Sequence, residues 1–200
     1  NSLNPQSGEV HWSLPLQPDF GMAITRPQKE GDMLFAGGIG NVGALIRLAS
    51  DKPGAEIVKR GDTQTYVYGA NSTPLIVGET IFGCDCRGGQ LRGVDLMSGK
   101  RLWETLAPIN AQRPQSHGTA FLTKVGEDPA LDRYFLFSET GDLIDARLTR
   151  EGYEERGRFR VLEPTGEAFG RLVVWSHPAY SGRCLFARND KELVCVSLAK

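Results

Sequence analysis

Short runs of alternating or wholly apolar residues follow one another along this chain, and almost none has helical spacing. They fall at Met33–Ala36, Ala44–Leu48, Glu56–Arg60, Tyr66–Tyr68, Pro74–Val77, Thr80–Cys84, Leu91–Leu96, Arg101–Thr105, Ala120–Lys124, Arg133–Ser138, Leu143–Leu148, Arg158–Leu162, Leu172–Trp175, Cys184–Ala187 and Leu193–Leu198. Most are rich in Val, Ile, Leu, Phe and Tyr, which fit a pleated surface. Between them lie Gly37-Gly38-Ile39-Gly40, Arg87-Gly88-Gly89, Glu139-Thr140-Gly141-Asp142 and Asn189-Asp190-Lys191. Gly, Asn and Asp tolerate the positive φ that tight hairpins need. The pattern predicts an all-β chain, with one helical turn expected over Thr149–Glu154.

The runs repeat. Segments Gly43–Leu48, Leu91–Leu96, Leu143–Leu148 and Leu193–Leu198 align, and their final leucines stand 48, 52 and 50 residues apart. Each segment follows a turn cluster that itself follows a strand. A second phrase fixes the register: Leu3–Trp12 matches Val94–Trp103, with the Ser-Gly pair and the Trp at the same offsets, 91 residues apart. The other two units keep only the turn glycine, Gly54 and Gly152. A period of about 50 residues holding roughly four strands is that of a β-propeller blade. A two-sheet sandwich would not repeat its turns at a fixed period.

The expected organisation is about four blades of four antiparallel strands. Residues 1–14 hold the outer strand of a preceding blade, 15–62, 63–108 and 109–165 are complete blades, and 166–200 is a last blade without its outer strand. The third strand occurs twice, as Asn1–Pro5 and as Leu193–Leu198. The chain therefore reads as a segment of a larger propeller of about six to eight blades, the alternative being a closed four-bladed ring. Self-association through the unpaired end strands is expected, because an open sheet edge invites pairing.

Composition narrows the function classes. With 40% hydrophobic and 24% charged residues the chain is neither disordered nor a disulfide miniprotein. A net charge of −1 gives no electrostatic footprint for nucleic acid. No apolar run approaches the roughly 18–20 residues of a membrane span. Cys84 and Cys86 are one residue short of the usual zinc or redox pair and, on one strand face, awkwardly spaced for a disulfide. Cys184 and Cys195 lie on neighbouring strands and can approach; free thiols are the expectation for all four.

Candidate chemistry is sparse. Asn71, His117 and His177 each precede an innermost strand, so they are expected at one mouth of the central channel, contacting a ligand or partner or simply capping backbone donors. His11 reads as exposed. Trp12 and Trp103, at one repeat position, are expected to pack between blades. Gly37–Gly43 is a turn rather than a nucleotide loop, because a strand follows where that loop needs a helix. Glu139 and Asp142 read as turn formers, and Arg156, Arg158 and Arg160 as a solvated strand edge. No metal site is expected, since no carboxylate or cysteine is spaced to join the histidines. No nucleophile elbow is present.

The phrase Gly89–Trp103 resembles the repeat of pyrroloquinoline-quinone-type propellers, G-x-L-x-A-x-D-x-x-T-G-x-x-x-W. Residues 116–200 resemble the C-terminal part of quinoprotein-like propellers of bacteria such as planctomycetes, through Phe135–Ile144, Trp175–Tyr180 and Ala187–Cys195. That group contains quinone-dependent dehydrogenases, outer-membrane assembly lipoproteins and many scaffolds, so the resemblance implies a fold first. It also implies export or a periplasmic location. The dehydrogenases use adjacent cysteines beside the quinone, and Cys84-Asp85-Cys86 departs from that pattern. The expectation is a binding or protein-interaction scaffold with no cofactor and with its ligand or protein partner unidentified; the alternative is part of a quinone-dependent dehydrogenase or another channel-mouth enzyme.

Overall fold

A computed structural model describes residues 1–126 and 131–199. The chain opens with a two-stranded hairpin, β1 (Ser2–Leu3) and β2 (Val10–Trp12). Three four-stranded antiparallel meanders follow. The first is β3 (Gln28–Glu30), β4 (Met33–Gly38), β5 (Val42–Leu48) and β6 (Ala55–Arg60). The second is β7 (Leu75–Val77), β8 (Thr80–Cys84), β9 (Leu91–Asp95) and β10 (Arg101–Thr105). The third is β11 (Ala120–Lys124), β12 (Arg133–Ser138), β13 (Asp142–Leu148) and β14 (Tyr153–Arg160). A short hairpin, β15 (Gly166–Ala168) and β16 (Arg171–Val173), leads into a three-stranded sheet of β17 (Ala179–Ser181), β18 (Cys184–Arg188) and β19 (Leu193–Ser197).

Among the described residues, helix is confined to two single 3-10 turns, Asp19–Gly21 and Ala107–Ile109. The helical turn expected over Thr149–Glu154 is instead a tight strand connection, with Thr149 N donating to Gly152 O at 3.0 Å. Tyr66–Tyr68 is not a strand; it is a fully buried stretch of the link between the first two meanders. β2 pairs with β1 and β19 with β18, so β2 does not close onto β19 within the chain.

The interior strands β8 and β9 are buried on both faces, which explains their nearly continuous apolar composition, whereas β18 in the last sheet buries only the face of Leu185 and Ala187. Ile81 packs with the first meander, through Phe35 and Leu45, and with Tyr68 of the link, while its neighbour Phe82 packs with the third, through Tyr134, Leu136 and Ile144. Leu136 faces back in the same way, and Phe137 faces forward onto Leu185 and Val174. Three apolar clusters thus alternate with the sheets, each shared by consecutive sheets. Cys84 and Cys86 fall into different clusters, because the turn after β8 breaks the strand's alternation.

The repeat reaches the level of single residue pairs. In all four outer pairings the register slips between the residues three and two positions before the aligned leucine: Leu45/Ile46, Gly93/Val94 and Asp145/Ala146, and Ser2/Leu3 counted from Pro5. The extra outer-strand residue is Val58, Leu102, Arg156 and His11 in turn. These stand ten, six, eight and six residues after the aligned position, so the turn before the bulge absorbs length differences between units. A bulge increases local twist and is a built feature of a sheet rim.

The Ser-Gly phrase has a mechanism. Asp95 Oδ1 accepts from Ser98 Oγ at 2.6 Å and Ser98 N at 2.9 Å, closing the turn that ends at the left-handed Gly99. Those two bonds, followed by one from Arg150, hold the Asp95 carboxyl down at about 2. Asn4 does the same work before Gly8, accepting from Gln6 N and Ser7 N.

Candidate functional site

In each meander the turn between the second and third strands lies at the same end as the link to the next sheet, because successive strands reverse. The candidate site lies at this end, where the β12–β13 turn, residues 116–119 and the β15–β16 hairpin meet.

Glu139, directly after β12, is only 3% exposed. Its carboxylate accepts from Thr119 N at 2.9 Å, from Arg171 Nε and Nη2 at 2.8 and 3.1 Å, and from Trp175 Nε1 at 3.0 Å. Its backbone carbonyl accepts from Val174 N at 2.7 Å. Arg171 also donates to Ser116 O at 2.9 Å. One carboxylate thus ties three separate stretches of chain together. A buried carboxylate is tolerable only with such full pairing.

Above this ion pair sits an aromatic patch. The His117 ring stacks on Phe169 with centroids 4.8 Å apart and planes at 22°, and Phe169 lies 6.2 Å from Trp175. His117 and Phe169 both have left-handed backbones, with φ of 57° and 50°. Bulky residues avoid that region, and strained residues of this kind gather at functional sites. Phe169 is nevertheless 62% exposed, with Leu172 exposed beside it on the hairpin. Burial, and then the nearby Arg171 charge, lower the His117 pKa below its ordinary 6.5.

Of the three residues expected at the channel mouth, two are brought together by hydrogen bonds. Asn71 Nδ2 donates to Thr119 Oγ1 at 3.4 Å, and Thr119 Oγ1 donates to His117 O at 2.8 Å, so Asn71 and the His117 segment meet. His177 is exposed and makes its contacts elsewhere: Nδ1 is 2.8 Å from Pro178 O and the ring is 4.9 Å from Phe121. Strand register sets His117 apart from the other two. Asn71 stands four residues before Leu75, which pairs with Phe82, and His177 stands four before Ser181, which pairs with the equivalent Cys184. In the third meander the same count back from Lys124, the partner of Tyr134, reaches Ala120. His117 lies three residues further out.

Trp103 stacks on Phe82 at 5.9 Å and donates Nε1 to Thr149 O of the next sheet at 2.9 Å. Trp12 lies beside the corresponding Ala49, with Leu34 and Leu48, in an open cleft of about 600 Å3. Arg156 and Arg160 are exposed, as a solvated edge requires, while Arg158 is partly buried, and Arg158 and Arg160 approach Asp142 to 3.3 and 2.7 Å. All four cysteines are free thiols, and burial pushes Cys84 up to about 12. With Cys84 and Cys86 buried in separate clusters, they do not form a sulfur wall for a quinone. Among the described residues no group of three His, Cys, Asp or Glu is placed to hold a metal ion. No helix there is long and apolar enough to cross a membrane.

No protein-family model and no curated protein matches the chain. Among solved structures it is similar to BamB from Moraxella catarrhalis, with a TM-score of 0.60 at 13% identity over 96% of this chain. The chain spans about half, 50%, of that structure. A yeast (S. cerevisiae) complex of Dbp5 with Nup159 and Gle1 matches with a TM-score of 0.43 at 11% identity, over 93% of this chain and 46% of that one. The all-β sheets in succession and the BamB likeness make this a β-propeller fold.

Proposed function

We propose that the chain is a protein-interaction scaffold of propeller type, without catalysis or a quinone of its own. Its binding face is the patch of His117, Phe169, Leu172 and Trp175. The observation that carries this reading is the stacked pair of left-handed residues His117 and Phe169, with the Phe169 ring turned largely to solvent. The left-handed backbone at Phe169 belongs to the two-residue turn between Ala168 and Arg171, a turn that calls for small residues. A phenylalanine set there, exposed and stacked on His117, is held rigidly enough to anchor a partner. Glu139 and Arg171 serve as the rigid floor: the Glu139 carboxylate is taken up by Arg171, Trp175 and the Thr119 N–H, which leaves little for acid–base chemistry, while Arg171 keeps one buried nitrogen, Nη1, without a partner. The reading takes 15–62, 63–108, 109–165 and 166–200 as the blades.

A photo-crosslinking amino acid at Leu172, with a control at Arg183 on the β17–β18 turn at the opposite end, tests it in cells. A discrete adduct from position 172, absent from 183 and lost with Phe169→Asp, is expected. Equal adducts from both positions would overturn the assignment of the face. A quinone that binds stoichiometrically by visible absorbance and supports dehydrogenase turnover would overturn the scaffold reading altogether.

A further inference from the structure

A second cleft, of about 220 Å3, opens between the β4–β5 turn and the β8–β9 turn. Three arginines, Arg87, Arg92 and Arg101, line it against one carboxylate, Asp85. Arg92 and Asp85 are 7% and 2% exposed, and Arg92 Nη1 lies 2.5 Å from Asp85 Oδ2. The approach is off the line of a hydrogen bond, so neither atom has a hydrogen-bond partner. Arg92 Nε also donates to Glu104 at 3.0 Å. The Arg92 charge is therefore compensated.

With Asp85 and Glu104 both at Arg92, the three arginines exceed the carboxylates by one charge, and the other two arginines make no ion pair of their own among the described residues. Arg101 spends its donors on the neutral carbonyls of Tyr66 and Thr63, at 3.1 and 3.0 Å. Arg87 is held by Asn41, whose amide oxygen, turned toward it, accepts from Nε at 2.6 Å and Nη2 at 3.1 Å. Neither forms an ion pair among the described residues. Neutral acceptors fix the two guanidiniums in place without cancelling their charge. Burial lowers the Arg101 pKa, with the Arg92 charge adding to it and Asp85 and Glu104 opposing it.

We propose that this cleft is a binding site for a small oxyanion, a phosphate or the carboxylate of a small acid. Guanidiniums fixed by neutral partners are preorganised for the bidentate contacts both groups accept. The volume lies below the roughly 300 Å3 at which drug-sized ligands are accommodated, so it suits an anionic group with few further atoms. The inference is independent of the aromatic face, which is built from other residues.

Calorimetric titration with sodium phosphate and, separately, sodium succinate, at ionic strength held constant with sodium chloride, tests it. Saturable one-to-one binding of at least one is expected, phosphate alone or succinate alone identifying the class. Arg87→Ala, an exposed position, should weaken binding about tenfold or more, the loss of a charge-assisted contact. Arg188→Ala, an exposed arginine outside the cleft, should leave binding unchanged. No saturable binding of either anion overturns the site. So does equal weakening by both substitutions, or none from Arg87→Ala when its circular dichroism matches that of the parent chain. The crosslink from position 172 should persist in Arg87→Ala, so the two readings fail separately.

Discussion

Glu139 shows what a single residue can hide from a reading of sequence. Between Ser138 and Thr140 it looks like a turn former, and it does stand at a turn. Its partners Thr119, Arg171 and Trp175 lie 20, 32 and 36 residues away, so no local pattern announces them. Removing it leaves a largely buried guanidinium and two orphaned donors. Glu139→Ala should therefore cost about 3–5 kcal/mol in urea denaturation, as breaking a buried pair does; a loss under about 1 kcal/mol would mean that the ion pair holds nothing together. His117 was legible as a candidate, but its left-handed backbone and its distance from the repeat position of Asn71 and His177 were not. Its lowered pKa gives a pH dependence of definite sign. The unfolded chain takes up the proton more readily, so His117 favours unfolding as pH falls from 6.5 toward the lower folded value, and the loss is restored as pH rises again. An NMR titration should place the His117 midpoint below 6.5; a midpoint at or above it would contradict the burial described here.

At the scale of elements, the Trp103 motif combines a legible part and an illegible one. The shared offsets of Trp12 and Trp103 placed both on outer strands from sequence alone. The reason a glycine stands at 93 emerges only from register: Phe82, Gly93 and Trp103 form one row across β8, β9 and β10. The tryptophan ring crosses the glycine to reach Phe82, and a Cβ on Gly93 would run into the ring. Filling a bare strand position with a neighbouring aromatic is a recognised device. Gly93→Ala should cost about 1–3 kcal/mol through overpacking. Trp103→Ala should cost about 3 kcal/mol, less if the half-buried site collapses. The combination should cost less than the two together by about 1 kcal/mol or more, since the alanine methyl then occupies space the ring has left. Additive costs in the double-mutant cycle would show that the contact does not bind the row. The same bulge in all four outer pairings marks the unit more firmly than sequence identity does, and no residue preference reveals it, since Val58, Leu102, Arg156 and His11 share no chemistry.

Across the whole molecule, the period near 50 residues made the succession of sheets readable, because each unit must bury both faces against its neighbours and so repeats its alternation. The β15–β16 hairpin is only partly readable: Leu172–Trp175 reads as a strand, while its partner, Gly166–Ala168, carries little apolar signal. Its role comes from Arg171 and Phe169, which face the preceding sheet's end rather than a strand of their own sheet. The alternation of clusters with sheets has a consequence for stability. Among the described residues no apolar cluster spans more than neighbouring sheets, so energy lost in one should be felt first by the sheets it joins. Leu185 is fully buried in the cluster between the third meander and the last sheet. Leu185→Ala should cost about 2–5 kcal/mol locally. Hydrogen exchange should quicken across β17–β19 and the β15–β16 hairpin, less in β11–β14, and hardly at all in β3–β6, as expected when opening is sub-global. Uniform acceleration from β3 to β19 would instead mean that the sheets open as one cooperative body, with the coupling carried by inner-strand contacts such as that of β3 with β7.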